Sequence, residues 1–187
     1  MTRRMTALVT GANKGIGYEI ASGLGALGWR VGVGARDPGR RQAAVESLRA
    51  AGVDAFGVPL DVTDDESVAG AALFIEEHAR GLDVLVNNAG ITGGPAQMPT
   101  TVDLAVLRTV LETNVFGAMR VTNAMLPMLR RSPAPRIVNV SSSVGSLTLQ
   151  NSPTATPGPS RWRTRRRSPT STPSPCSTPR SCATPTS

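Results

Sequence analysis

Cysteine is scarce in this 187-residue chain, and its two copies, Cys176 and Cys182, both lie close to the end. That leaves no disulfide framework and no four-ligand zinc site. Histidine occurs once, as His78, which excludes catalysis by a metal held in a histidine cluster; at the end of an expected helix it reads as a charge suited to the helix dipole. Tyrosine and lysine also occur once each, as Tyr18 and Lys14. No apolar run reaches membrane-spanning length, so no membrane association is expected. The opening Met1-Thr2-Arg3-Arg4 runs into a strand-like segment rather than a secretory signal, which makes the cytoplasm the expected compartment.

Acidic residues are missing from one region only. Residues 1–150 hold 14 Arg/Lys against 13 Asp/Glu, whereas residues 151–187 hold six Arg and no acid. The same closing stretch has no Leu, Ile, Val, Met or Phe, and 24 of its residues are Ser, Thr or Pro. It has almost nothing to bury against the entropy cost of ordering, so 151–187 is expected to be a disordered tail. Residues 1–150 are enough for one core.

Within residues 1–150, short apolar runs alternate with helical stretches. Strands are expected at Met5–Thr10, Arg30–Ala35, Asp54–Leu60, Leu82–Asn87 and Arg136–Ser141. Helices are expected at Gly15–Leu27, near Gly39–Ala51, at Asp64–Arg80, and as a long pattern over Asp103–Arg131 interrupted or kinked at Pro127. Strands joined by helical crossovers imply an α/β fold, a doubly wound parallel sheet covered on both faces and ending at its fifth strand.

The first crossover carries chemistry. Thr10-Gly11-Ala12-Asn13-Lys14-Gly15-Ile16-Gly17 sets three glycines between a strand and a helix N-terminus. Glycines let the backbone turn tightly and approach a pyrophosphate, whose charge is favoured by the helix dipole and free N–H groups. The position of the glycines, after the first strand and before the first helix, is what lifts them above a plain turn.

The spacing G-x-x-x-G-x-G resembles that of the short-chain dehydrogenase/reductase family, and the resemblance continues in order down the chain. Asp61-Val62 follows the third strand, where the family contacts adenine. Asn87-Asn88-Ala89-Gly90 ends the fourth strand, like the family's cofactor-proximal motif. Asn114, in Thr113-Asn114-Val115-Phe116-Gly117, matches the family's catalytic asparagine; on its own it reads equally as a polar residue bending a helix. Asn139-Val140-Ser141-Ser142-Ser143-Val144-Gly145 matches the strand that delivers the catalytic serine. Ser142 aligns best there, with Ser141 and Ser143 as neighbours of the same type, although three serines after a strand are usually turn chemistry. Gly11–Gly17 and Gly81–Ile91 look most like the carbonyl-reductase branch. The resemblance implies an oxidoreductase that passes hydride between a nicotinamide cofactor and a small carbonyl or alcohol substrate. Its cofactor residues would be Gly11, Asn13, Lys14, Gly15, Ile16, Gly17, Arg36, Asp61, Val62, Asn88, Ala89 and Gly90.

Charge argues for the form of the cofactor. NAD binders commonly place an acid at the end of the second strand to hold the ribose hydroxyls, whereas a 2′-phosphate needs cations. Here that strand ends Gly34-Ala35-Arg36-Asp37, and Lys14 sits inside the glycine loop. Two cations flanking the expected phosphate favour NADP over NAD, with Asp37 as the opposing sign.

One part of the family's machinery is missing. The family uses a tyrosine as general acid and a lysine four residues later on the same helix face. Nothing after Ser142 supplies either. A shifted reading frame explains this. With one lysine against 19 arginines the coding bias is GC-rich, and out-of-frame GC-rich codons yield Arg, Pro, Ser, Thr and Ala. Take Arg as CGN, Thr as ACN and Ser168 as AGY, and regroup Trp162–Ser168 by one frame. The result is GCG, NAC, three NCG codons and NAG, which permits Ala-Tyr-small-small-small-Lys. NAC equally encodes His, Asn or Asp, and NAG Glu or Gln. The expected alternatives are therefore a cofactor-binding but inactive chain, and a polyanion-binding protein working through Arg161–Arg167, where cations and an indole stand together. Nucleic acid is not an expected partner on the leading reading, and the sequence leaves the oligomeric state open.

Overall fold

A computed structural model describes residues 4–79, 81–94 and 101–143; the expected tail, 151–187, lies outside them. Five parallel strands form one sheet: β1 (Thr6–Thr10), β2 (Arg30–Ala35), β3 (Ala55–Pro59), β4 (Val84–Asn87) and β5 (Arg136–Asn139). Their spatial order is β3-β2-β1-β4-β5. The chain winds outward from β1 to β3, then crosses back to β4 on the other side. The carboxyl ends of β1 and β4 therefore flank the point where the winding reverses, the place where open α/β sheets bind ligands.

Alternating side chains divide the core between the two faces. On one face Ala7, Val9, Val31 and Val33 meet Ala21 of α1 (Gly15–Ala26) and Val45 and Leu48 of α2 (Pro38–Ala50). On the other, Leu8, Val58 and Leu85 meet Ile75 of α3 (Asp65–Ala79) and Val121, Met125 and Leu129 of a helix running Gly117–Leu129. Each fully buried Val, Leu or Ile contributes roughly 1.5–3 kcal/mol. The strands are short and near-continuously apolar because both faces are covered. The doubly wound parallel architecture expected from the sequence is the one observed.

Two helices differ in detail from the expectation. The second helix starts at Pro38, because the Asp37 carboxylate accepts from the Arg40 N–H at 2.8 Å and caps it. The long helical pattern expected over Asp103–Arg131 is observed, but with no interruption at Pro127. It is α4 (Leu104–Leu111), a π-helical turn (Glu112–Phe116) and α5 (Gly117–Leu129), with Pro127 in the last turn of α5. Leu111, Glu112, Phe116 and Gly117 all keep right-handed helical angles, so the helix bulges at the π turn rather than breaking there.

β5 differs from the other strands. It pairs with β4 through Leu85 and Ile137 and their neighbours, but all four of its residues are exposed.

Candidate cofactor site

Four strand ends build the site. After β1 the chain turns through Gly11 (φ +65°) and Gly15 (φ +56°), and Lys14 stands extended at the N-cap of α1. The buried Thr10 hydroxyl accepts from the N–H groups of Asn88 and Ala89, both at 2.9 Å, while Asn88 Nδ2 donates to the Thr10 carbonyl at 2.9 Å. These bonds staple the loop after β4 to the glycine loop. The fit leaves no room for side chains: a Cβ on Gly17 would lie 2.4 Å from Asn88 Nδ2 and 2.6 Å from the Gly11 carbonyl oxygen. On Gly15 a Cβ would meet nothing within 4 Å, so the loop is tight on its inner side and open on its outer side.

At the end of β2, Asp37 is committed to capping α2 and to a 4.0 Å pair with Arg40. Arg36 is 77% exposed and lies 4.0 Å from Asp61. Asp61 follows β3. Partial burial pushes its carboxyl upward, but the Thr63 N–H (3.0 Å), the Thr63 hydroxyl (2.7 Å) and Arg36 outweigh burial and hold it below its ordinary range. Asp61 therefore remains an anion and tempers the field of Arg36.

One cavity of about 640 Å³ collects these elements. All twelve residues expected to hold a cofactor line it, from Gly11–Gly17 through Arg36, Asp61 and Val62 to Asn88–Gly90. Arg40, Thr109 and Thr113 line it too and were not foreseen. For Arg40 a signal existed, a second cation four residues beyond Arg36 in the first turn of α2; for the threonines there was none without the position of α4. The donor set suits a dinucleotide phosphate: free N–H groups at a helix N-terminus, a glycine cradle that a Cβ would fill, and cations at Lys14 and Arg36.

A second cavity of about 450 Å³ shares Asn88, Ala89 and Gly90 with the first and extends past Asn114, Met119 and Asn139 to Val140. Asn114 sits in the π turn. Its Oδ1 accepts from the Ile91 N–H at 2.9 Å and its Nδ2 donates to the Ile91 carbonyl at 2.8 Å, so its amide fixes the loop after β4. Ser142 lies exposed beyond β5 and lines neither cavity. The Tyr18 hydroxyl is engaged 2.7 Å from Ser47 Oγ and borders neither cavity. The supporting role of the Thr10 hydroxyl carried no signal in the sequence, whereas Asn87 stands first in the motif that ends the fourth strand. Asn87 Nδ2 donates to Thr122 Oγ1 (3.0 Å) and Asn139 Oδ1 (2.9 Å), joining β4 to α5 and β5.

Comparison with known proteins identifies the class. The family model for short chain dehydrogenases matches residues 5–154, and the chain belongs to that family of oxidoreductases. It is 39% identical to short-chain dehydrogenase/reductase 1 of Saponaria officinalis over 170 residues, covering 79% of this chain and 56% of the relative. It is 42% identical to carbonyl reductase [NADPH] 1 of Bos taurus over 144 residues, covering 75% and 50%. Among solved structures, salutaridine reductase from Papaver somniferum superposes with a TM-score of 0.71 at 35% identity, covering 78% of this chain and 60% of that one. An actinorhodin polyketide ketoreductase with NADPH gives a TM-score of 0.69 at 41% identity, covering 74% and 53%. The chain thus spans between half and three fifths of the length of these relatives. Among the described residues, no helix is long and apolar enough to cross a membrane.

Proposed function

We propose that the larger cavity binds NADP(H), and that residues 1–150 are the nucleotide-binding part of an oxidoreductase acting on a carbonyl or alcohol. The convergence of twelve residues from four strand ends on one cavity carries this reading. The loop Gly11–Gly17, with Asn13 and Ile16, holds the pyrophosphate; Lys14 and Arg36 take the 2′-phosphate; Asp61 and Val62 border the adenine; Asn88, Ala89 and Gly90 border the nicotinamide-side ribose. The bound nicotinamide supplies or accepts the hydride. Ser142 orients the carbonyl, and Asn114 sets the loop against which it lies. The NADPH of the bovine relative and of the ketoreductase structure supports the phosphorylated cofactor, against the opposing charge of Asp37, which lines the same cavity. A charge-assisted contact to phosphate is worth roughly 1.5–3 kcal/mol. Arg36→Ala should therefore weaken NADPH by about tenfold at the exposed end of that range and leave NADH unchanged. Equal losses for both cofactors would contradict the assignment.

A second reading rests on Tyr18 and Lys14, the chain's sole tyrosine and lysine. Both belong to the first crossover and neither can form the family's Tyr-x-x-x-Lys pair. On this reading the 187-residue chain binds cofactor without reducing a carbonyl, its segment 151–187 being an out-of-frame translation. General acid catalysis typically contributes about 10²–10⁴-fold, so NADPH oxidation with reactive aldehydes and quinones should stay at background. Turnover that Ser142→Ala abolishes would rule this out in favour of the active enzyme.

A further inference from the structure

Arg120, one turn into α5, lines neither cavity, yet its guanidinium reaches three segments that shape them. Nη1 donates to the Val62 carbonyl at 2.8 Å, Nη2 to Glu112 Oε1 at 2.8 Å, and Nε to the Asp65 carboxylate. Val62 belongs to the wall after β3, Asp65 opens α3, and Glu112 opens the π turn whose Asn114 grips Ile91. The arginine side chain is only 23% exposed. The same junction is tight in its backbone: a Cβ on Gly117 would lie 2.9 Å from a Val62 methyl and 3.1 Å from its carbonyl oxygen.

We infer that Arg120 is a positioning residue that keeps the β3 wall and the π turn in register, so that a dinucleotide can engage both ends of the cavity at once. This deepens the cofactor reading and rests on it. Each end has its own local support. Asp61 is held by Thr63, and its N–H by the Ser67 hydroxyl at 2.9 Å; Asn114 and Ile91 hold each other. What Arg120 adds is a hydrogen-bonded link between the two ends, beside the close packing of Gly117 on Val62. Its planar fork serves three acceptors in fixed directions, which a lysine ammonium on a flexible stem does not reproduce.

The link predicts a particular pattern of losses. A ligand spanning the whole cavity needs the register, whereas one occupying only the adenine end does not. The test is calorimetric titration of the full chain, and of Arg120→Lys and Arg120→Met, with NADPH and with adenosine 2′,5′-bisphosphate. Both variants should weaken NADPH by about tenfold and the bisphosphate by less than about twofold. A role confined to fold stability would lower both ligands by one factor, and that result overturns the proposal, as does unaltered NADPH binding in Arg120→Met. Should either variant fail to fold by circular dichroism, Glu112→Gln and Asp65→Asn each remove one arm of the fork. They should show the same selective loss of NADPH; loss of neither ligand, or equal loss of both, overturns it. If the unaltered chain binds neither ligand, the cofactor reading itself falls, an outcome distinct from failure of the variants.

Discussion

Gly17 shows how a missing side chain can set the geometry of a site. Its missing Cβ is the space through which the Asn88 amide reaches the glycine loop, since 2.4 Å is far inside van der Waals contact. Relief of that clash requires Asn88 to leave the Thr10 and Gly11 carbonyls, or α1 to shift away from β4. Overpacking of this kind costs typically about 1–3 kcal/mol. Gly17→Ala should fold, with far-ultraviolet dichroism unchanged, and lose NADPH affinity by at least about tenfold; retention of that affinity would mean that the staple between the two loops is not needed. The glycine spacing was legible in the sequence because only backbone freedom and close approach select glycine so strongly at a strand–helix junction. Thr10 was not, because a threonine at a strand end reads as ordinary β propensity. Its hydroxyl acquires meaning only when parallel pairing brings β4 beside β1.

At the scale of elements, strands and crossovers followed from apolar runs and from the residues that punctuate them, and the caps at Asp37 and Asp103 obey the same local chemistry. The π turn did not follow. Leu104, Leu107, Leu111 and Val115 recur with helical spacing, a pattern that gives the helix but not its π turn. The structure leaves that stripe outside the core: α4 has no buried residue, and Leu104 and Met119 are 60% and 58% exposed. The π turn coincides with bonds from Asn114 to the Ile91 backbone, outside the segment, which no local pattern records. β5 is the second element whose setting departs from its sequence. Ile137 and Val138 point to opposite faces and are 42% and 44% exposed, on a strand that only β4 pairs among the described residues. An apolar edge invites pairing with another chain. Val138→Lys should reduce concentration-dependent light scattering while shifting stability by no more than about 0.5 kcal/mol, the range of ordinary surface changes. Unchanged scattering would show that β5 is not the associating edge.

For the whole molecule, the sheet order places the glycine loop, the β2 and β3 ends and the loop after β4 around one cavity. That half of the molecule is legible from sequence because the twelve expected residues sit at or just after strand ends, and all twelve line the cavity. The substrate side is not legible. Ser142 stands outside both cavities, and the family's tyrosine–lysine pair has no counterpart in the chain. The central claim is that the cavity of about 640 Å³ is an NADP(H) site. Side-by-side calorimetric titration of the 187-residue chain with NADPH and NADH tests it most directly. One NADPH should bind per chain, at least about tenfold more tightly than NADH. Equal affinities would contradict the roles given to Lys14 and Arg36, and binding of neither would contradict the site.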